Sequence, residues 1–431
     1  MDEGEAAIGR EAMRKVQWRI VPLLTLAFLC AYADRVNVGF AAATMNADLG
    51  FSATVYGLGS GLFFLSYALF EIPSSQLSVR FGSRNWIARI MVSWGLLSAA
   101  TMFVTTAWQF YLIRFLLGAA EAGFFPAVIF YFARWLAPEY RGRALSRFYI
   151  ASPLNSIVLG GVSSWMLGFH GTGGLKGWQW LFLMQGLPSV LVGALLLWLL
   201  PERPDKVSWL APAEKGWLSG ALAREQLAHG APVHGGVLKA LAHPRVAQLG
   251  AVGVLMAGSV TTLMLSAPLV LADRTGGSAG AVGLIVSIGG VIGAVTMLAA
   301  GSFADRRNAN LSHIMGYGAV LSLAFLVMAL TRSGSVTVGA YLMFAAVCFA
   351  LPMLAAASWI ELLPAGQLAV GAAAINMISQ IGAFVTPFVW GVLKDATGDY
   401  RAGLLLLAGL GGIMCLALAW ICRGPAPSRP S

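Results

Sequence analysis

The sequence predicts an all-α membrane protein with twelve transmembrane helices in two pseudo-symmetric six-helix bundles. Three observations predict it. Of the 431 residues, 58% are hydrophobic and only 11% charged, with a mean hydropathy of +0.76, values that ordinary soluble domains do not reach. Runs of about 20 apolar residues, the length a helix needs to cross a bilayer, recur twelve times. The longest polar interruption divides those runs six and six.

In order, the predicted spans lie near 18–43, 53–79, 85–104, 107–134, 144–168, 178–200, 245–272, 279–304, 312–331, 335–360, 367–393 and 402–422. They set the expected organisation: a first bundle over 1–200, a cytoplasmic linker over 201–243, a second bundle over 244–422 and a tail over 423–431. A net charge of +10 would point to nucleic acid in a soluble protein. Here the basic residues cluster in alternate short loops instead. Arg10, Arg14, Lys15 and Arg19 precede span 1, Arg80 and Arg84 follow span 2, Arg134, Arg141, Arg143 and Arg147 follow span 4, Arg306 and Arg307 follow span 8, and Arg423 and Arg429 follow span 12. The intervening loops are nearly free of Lys and Arg, so the positive-inside rule places both termini in the cytoplasm. The first apolar run is of full spanning length and follows an acidic then basic start, which argues against a cleaved signal peptide. Cys30, Cys348, Cys415 and Cys422 lie within or at the ends of spans without metal-ligand spacing and are read as packing residues.

Span 1 carries the strongest anomaly. Tyr32-Ala33-Asp34-Arg35 puts two opposite charges side by side, with Asp34 roughly 20 Å along the helix from Arg19 at 1.5 Å per residue. Ionised groups at that depth are costly and mark functional sites. Adjacent helical positions diverge by about 100°, so the two side chains face different partners. In span 2, Tyr67 and Glu71 are one turn apart. Tyr67 can reach a central cavity, and Glu71 is expected to pair with an arginine on the cytoplasmic side to close a gate. In span 4, Arg114, Gly118 and Glu121 share one face, and Pro126 is expected to kink the helix. Burial opposes ionisation of a carboxyl and a nearby guanidinium favours it, so Glu121 is placed to take up and release a proton as its partners move. Span 5 offers Ser152, Asn155 and Ser156, either as solute contacts or as helix-packing polar groups.

Within the linker, Trp217, Leu218, Ala221 and Leu222 fall at helical spacing opposite charged residues, as in an interfacial amphipathic helix. The second half has no Asp, Glu, Lys or Arg in the middle of a span, so its solute contacts must be polar or aromatic: Trp359 at the end of span 10, and Asn376 and Gln380 in span 11. No phosphate-cradling Gly-x-x-x-x-Gly-Lys-Ser/Thr loop is present, so the chain carries no ATPase of its own, and no nucleophile or metal cluster points to an enzyme.

Val79-Arg80-Phe81-Gly82-Ser83-Arg84 after span 2 and Gly301-Ser302-Phe303-Ala304-Asp305-Arg306-Arg307 after span 8 repeat one loop at the same place in each half. The loop resembles that of the major facilitator superfamily, Gly-x-x-x-Asp-Arg-x-Gly-Arg-Arg. Gly301, Asp305 and Arg306 match it, whereas Ser75 and Val79 stand at the glycine and aspartate positions of the first copy. The resemblance implies gating roles for Arg80, Arg84, Asp305 and Arg306.

Further segments, Tyr32-x-Asp34-Arg35-x-Asn37-x-Gly39, Glu71-Ile72-Pro73-Ser74, Gly177-Trp178-Gln179-Trp180 and Leu393-Lys394-Asp395-Ala396-Thr397-Gly398, are similar to the anion:cation symporter family of that superfamily. By this resemblance Asp34 and Glu121 serve proton coupling, and Arg35 and Arg114 bind a carboxylate. The implied protein imports a small organic anion with protons, drawing on a proton gradient with no cofactor and no metal, as a monomer in a bacterial inner membrane. An exporter, antiporter or facilitator of the same fold is the alternative. Sugar acids, tartrate-like diacids and aromatic acids all fit this pattern, with Trp359 and Phe124-Phe125 weighting it slightly toward the aromatic group.

Overall fold

The computed structural model describes residues 3–229, 240–307, 311–363 and 368–423. Among them, twelve helical stretches are long and apolar enough to cross a membrane, from Gly4–Leu49 to Arg401–Ile421, as the hydropathy runs predict. Helices dominate because a bilayer offers no partner for backbone N–H and C=O groups, which a helix satisfies internally. Their ends are set locally. Ser52 accepts from the Val55 N–H at the start of span 2, and Thr106 with Gln109 forms a capping box at the start of span 4.

The first helix, Glu3–Leu49, is far longer than its apolar run. Its charged beginning is helical because it has something to pack on. The linker helix Pro212–His229 lies against it, with Trp217 beside Gly9 and the Lys15 ammonium 2.7 Å from Glu214. Arg141 grips Glu225 through its two terminal guanidinium nitrogens, Nη1 and Nη2, and also donates to the Ala133 and Leu136 carbonyls. The apolar face of the linker helix, expected on the membrane interface, therefore covers protein: Trp217 and Leu218 are buried.

Among the described residues, three spans are broken near their middles. Span 5 divides at Ile150 into Pro138–Tyr149 and Ala151–Leu167, and span 10 divides at Phe349 into Gly334–Cys348 and Ala350–Leu362. Span 4 divides into Ala107–Glu121 and Phe124–Trp135, with Gly123 at φ +84° between them. The break was expected at Pro126, but it falls three residues earlier. A proline ring clashes with the carbonyl four residues before it, here that of Ala122, so the chain leaves the helix there and Pro126 sits in the first turn of the next one. Gly123 supplies the left-handed turn, and the Ser74 hydroxyl satisfies the freed Ala122 carbonyl at 2.5 Å.

The two sets of six spans meet tightly at the face opposite the termini. Gly57 packs on the Pro387 carbonyl, Gly61 on that of Phe384, and Gly160 and Gly283 on each other, so closely that a Cβ at any of them would strike backbone. The Tyr56 hydroxyl donates to the Leu265 carbonyl at 2.8 Å, and the Asp395 carboxylate accepts from the Ala53 and Thr54 N–H groups at 2.9 and 2.8 Å. Small residues allow such approach where lipid supplies no hydrophobic drive between helices.

Candidate functional site

Asp34 and Arg35 part as adjacent helical residues must. Asp34 is fully buried and accepts from the Ser98 hydroxyl at 2.6 Å, the Ser189 hydroxyl at 3.1 Å and the Asn37 amide at 3.2 Å. Those donors come from spans 1, 3 and 6, so Asp34 is enclosed within the first six spans. Arg35 turns toward spans 2 and 4. Its Nε donates to Glu121 Oε1 at 2.5 Å, and its guanidinium lies over the Tyr67 ring, 4.8 Å from the centroid. Glu121 is wholly buried while the Arg35 side chain is 26% exposed, so one side of the guanidinium is reserved and another is accessible.

Glu121 owes its place to the broken span: it is the last residue of Ala107–Glu121, directly before the turn at Gly123. Gly118 lets that helix press against span 2, where a Cβ would strike the Phe63 carbonyl and the Ser66 hydroxyl. Glu121 Oε2 is buried without a hydrogen-bond partner among the described residues. Arg114, two turns earlier, is 1% exposed and lies over the Phe63 ring at 4.9 Å, with Nε and Nη2 unpartnered among the described residues. Arg114 is thus a buried positive charge behind the Arg35–Glu121 pair. It does not reach the accessible side of the site in this conformation.

A polar contact joins the two halves across the site. The Asn376 amide donates to both carboxylate oxygens of Glu71, at 3.2 and 3.1 Å. Glu71, expected to meet an arginine, pairs here with the second half instead. Arg80 is exposed beside the Phe81 ring, and Arg84 donates to Asn85 and lies 4.0 Å from Glu202. The reason is distance along the helix: Glu71 is more than two turns from Arg80, while span 11 packs along span 2. The side chains of Asp305 and Arg306 lie outside the described residues.

Tyr32 is half-buried and reaches span 7, its hydroxyl 3.7 Å from the Met264 sulfur, with the Phe349 ring 6.4 Å away. Tyr67 is buried beneath the Arg35 guanidinium. Ser152 and Gln380 are half-buried, Asn155 is 2% exposed, and Trp359 packs beside Gly253 of span 7. Phe124 and Phe125 do not face the centre. They pack on Phe28, Trp94, Phe148 and Tyr149 within the first six spans. Sequence reasoning missed Ser98 and Ser189, which hold Asp34, and Phe63, which underlies both arginines. A hydroxyl or a phenyl ring in an apolar helix carries no signal of its partner.

The Major Facilitator Superfamily profile matches residues 24–387. The chain is 38% identical over 416 residues to an Agrobacterium vitis protein named "Putative tartrate transporter", covering 94% of this chain and 91% of that one. It is 35% identical over 402 residues to an Acinetobacter baumannii protein named "Quinolone resistance transporter", covering 93% and 92%. Among solved structures, a bacterial homologue of the human lysosomal transporter Spinster superposes with a TM-score of 0.77 at 16% identity, over 96% of this chain and 98% of that one. The twelve apolar spans, the profile match and the full-length relatives lead to one conclusion: the chain belongs to the Major Facilitator Superfamily and is a multi-pass membrane transporter of a small molecule.

Proposed function

We propose that the chain imports a small organic carboxylate together with protons by alternating access, as a monomer in a bacterial inner membrane with both termini cytoplasmic. The observation that carries this reading is the divided environment of Arg35, bonded to buried Glu121 on one side and accessible on the other. With Glu121 ionised, the guanidinium is already neutralised. A proton on Glu121 frees that charge for a solute carboxylate, which a guanidinium can hold through two parallel hydrogen bonds. The loaded site then carries less net charge, and the two halves can rock around it. On the cytoplasmic side, loss of the proton lets Glu121 reclaim Arg35 and expel the solute. Asp34, enclosed by Ser98, Ser189 and Asn37, has no path to the solute and serves as a second proton carrier acting through span 1. The cross-half contact between Glu71 and Asn376 breaks and reforms with each cycle. The relative named for tartrate, itself a carboxylate, supports the substrate class.

The relative named for quinolone resistance supports a second reading, an exporter or antiporter of the same fold. Proteoliposomes separate the two. An inward proton gradient should drive labelled carboxylate into the lumen, with loss of uptake in Glu121→Gln. Uptake that needs an outward gradient, or that Glu121→Gln leaves proton-driven, would refute the symport reading.

A further inference from the structure

Spans 1 and 5 enclose a groove of about 580 Å³, a volume usual for ligand sites. Its walls are Trp18, Val21, Pro22, Leu26 and Leu29 of span 1 and Leu154 of span 5, and Gln17 and Arg147 form its polar end. From Gln17 to Leu29 the helix rises about 18 Å at 1.5 Å per residue. That is close to one leaflet of a hydrocarbon core about 30 Å thick. Trp18, 75% exposed, stands at the polar end, at the depth where tryptophan rings settle in a membrane interface.

Arg147 is the cation of that end. Its Nη1 donates to the buried Gln17 amide oxygen at 2.8 Å, and it takes part in no ion pair among the described residues. By contrast Arg14, Lys15 and Arg141, on the same two helices, each hold a carboxylate. The side-on pair of Arg147 donors, Nε and Nη2, makes no hydrogen bond among the described residues, and such a pair matches two oxygens of a phosphate. From this charge and this depth we propose that the groove binds an acidic phospholipid of the leaflet on the side of the termini, with its phosphate on Arg147 and one acyl chain along Val21, Pro22, Leu26, Leu29 and Leu154. Thr25, the hydroxyl in the wall, is turned to its own helix and donates to the Val21 carbonyl at 2.8 Å. A small organic anion would find no polar partner along that wall, whereas an acyl chain needs none. The chain is surrounded by hydrocarbon in the groove and in the bilayer alike, so the groove fixes position and Arg147 supplies the preference for negative charge.

Native mass spectrometry of the purified full chain, titrated with phosphatidylglycerol and with phosphatidylcholine of the same acyl chains, tests this. The first bound lipid should favour phosphatidylglycerol about fivefold, the effect of one basic side chain at a membrane surface. Arg147→Gln should abolish that preference, while Arg134→Gln, at an exposed arginine outside the groove, should keep it. Leu26→Trp fills the groove and should weaken both lipids; Leu154→Trp closes it from span 5 should the first variant unfold early. Glycerol phosphate, a head group without chains, should not compete. A preference that survives Arg147→Gln, or binding indifferent to both tryptophan variants, would overturn the site. Competition by glycerol phosphate would assign Arg147 to a free phosphate compound, and competition by tartrate would assign the groove to the transported solute; either would overturn the lipid.

Discussion

Glu121→Gln is the most discriminating change. The carboxamide keeps the size of the side chain and removes its charge, so Arg35 exchanges the carboxylate that now holds its Nε at 2.5 Å for a neutral acceptor that does not offset the guanidinium charge. A charge-assisted hydrogen bond contributes about 1.5–3 kcal/mol net. Glu121 is fully buried but Arg35 is 26% exposed, which argues for the lower part of that range, about 2 kcal/mol. At neutral pH a solute carboxylate must compete with Glu121 for the guanidinium. Removing the competitor should therefore tighten binding by up to about 30-fold, the equivalent of 2 kcal/mol. Lowering the pH should have the same effect on the wild type, by protonating Glu121, and should do nothing further to the variant. Calorimetric titration with tartrate, and with other small carboxylates in turn, at neutral and acidic pH measures all four affinities. A variant that binds no more tightly than the wild type at neutral pH, or whose affinity still rises with acid as the wild type's does, would refute competition for Arg35.

Three other outcomes follow from the packing. Ser98→Ala leaves Asp34 short of its closest donor, a 2.6 Å hydrogen bond in a fully buried site, and should cost about 1–3 kcal/mol of stability in denaturant or thermal unfolding; unchanged unfolding would show that Asp34 does not depend on it. Gly160→Val inserts a side chain where Gly160 meets the Gly283 carbonyl, so the face opposite the termini should no longer close. Solute binding should survive while proteoliposome uptake is lost, and normal uptake would remove that seam from the transport cycle. Asp399, in the loop between spans 11 and 12, is raised somewhat by burial, but Arg274 at 2.8 Å and the Arg401 N–H outweigh that and hold its carboxyl below the usual carboxylate range. A carboxyl lowered by folding stabilises fully above its unfolded range and loses that contribution as the pH falls through its folded value. Acid unfolding should therefore be less steep in Arg274→Gln, and an identical acid limb would count against the pair.

Much of the architecture could be read directly from the sequence. Asp34, Arg35, Arg114 and Glu121 stood out because charge in an apolar run is expensive wherever the run goes. Glu71 stood out for the same reason, yet its partner could not be inferred. Arginine is the obvious mate for a glutamate, but the structure supplies Asn376, 305 residues away, because span 11 lies along span 2. The apolar face of the linker helix was visible as a pattern, but not that protein would cover it in place of lipid. In the sequence Phe124-Phe125 hints at an aromatic site, but both rings pack within the first six spans, since a run of residues does not say which way a ring points.

The sequence by itself determined the twelve crossings, because the transfer of a helix into lipid depends on the composition of about 20 consecutive residues and hardly on their neighbours. It also determined which charges would be anomalous. Only the tertiary structure decided what those charges do. Arg35 is bound to Glu121 and Asp34 to Ser98 and Ser189 because span 1 turns the first side chain toward spans 2 and 4 and the second toward spans 3 and 6. The break in span 4 then leaves Glu121 at the end of a helix, and helices from the second half bring Met264 and Phe349 up to Tyr32, one turn before Arg35. These contacts join residues 64 to more than 200 positions apart, and no local property of the chain encodes such distances.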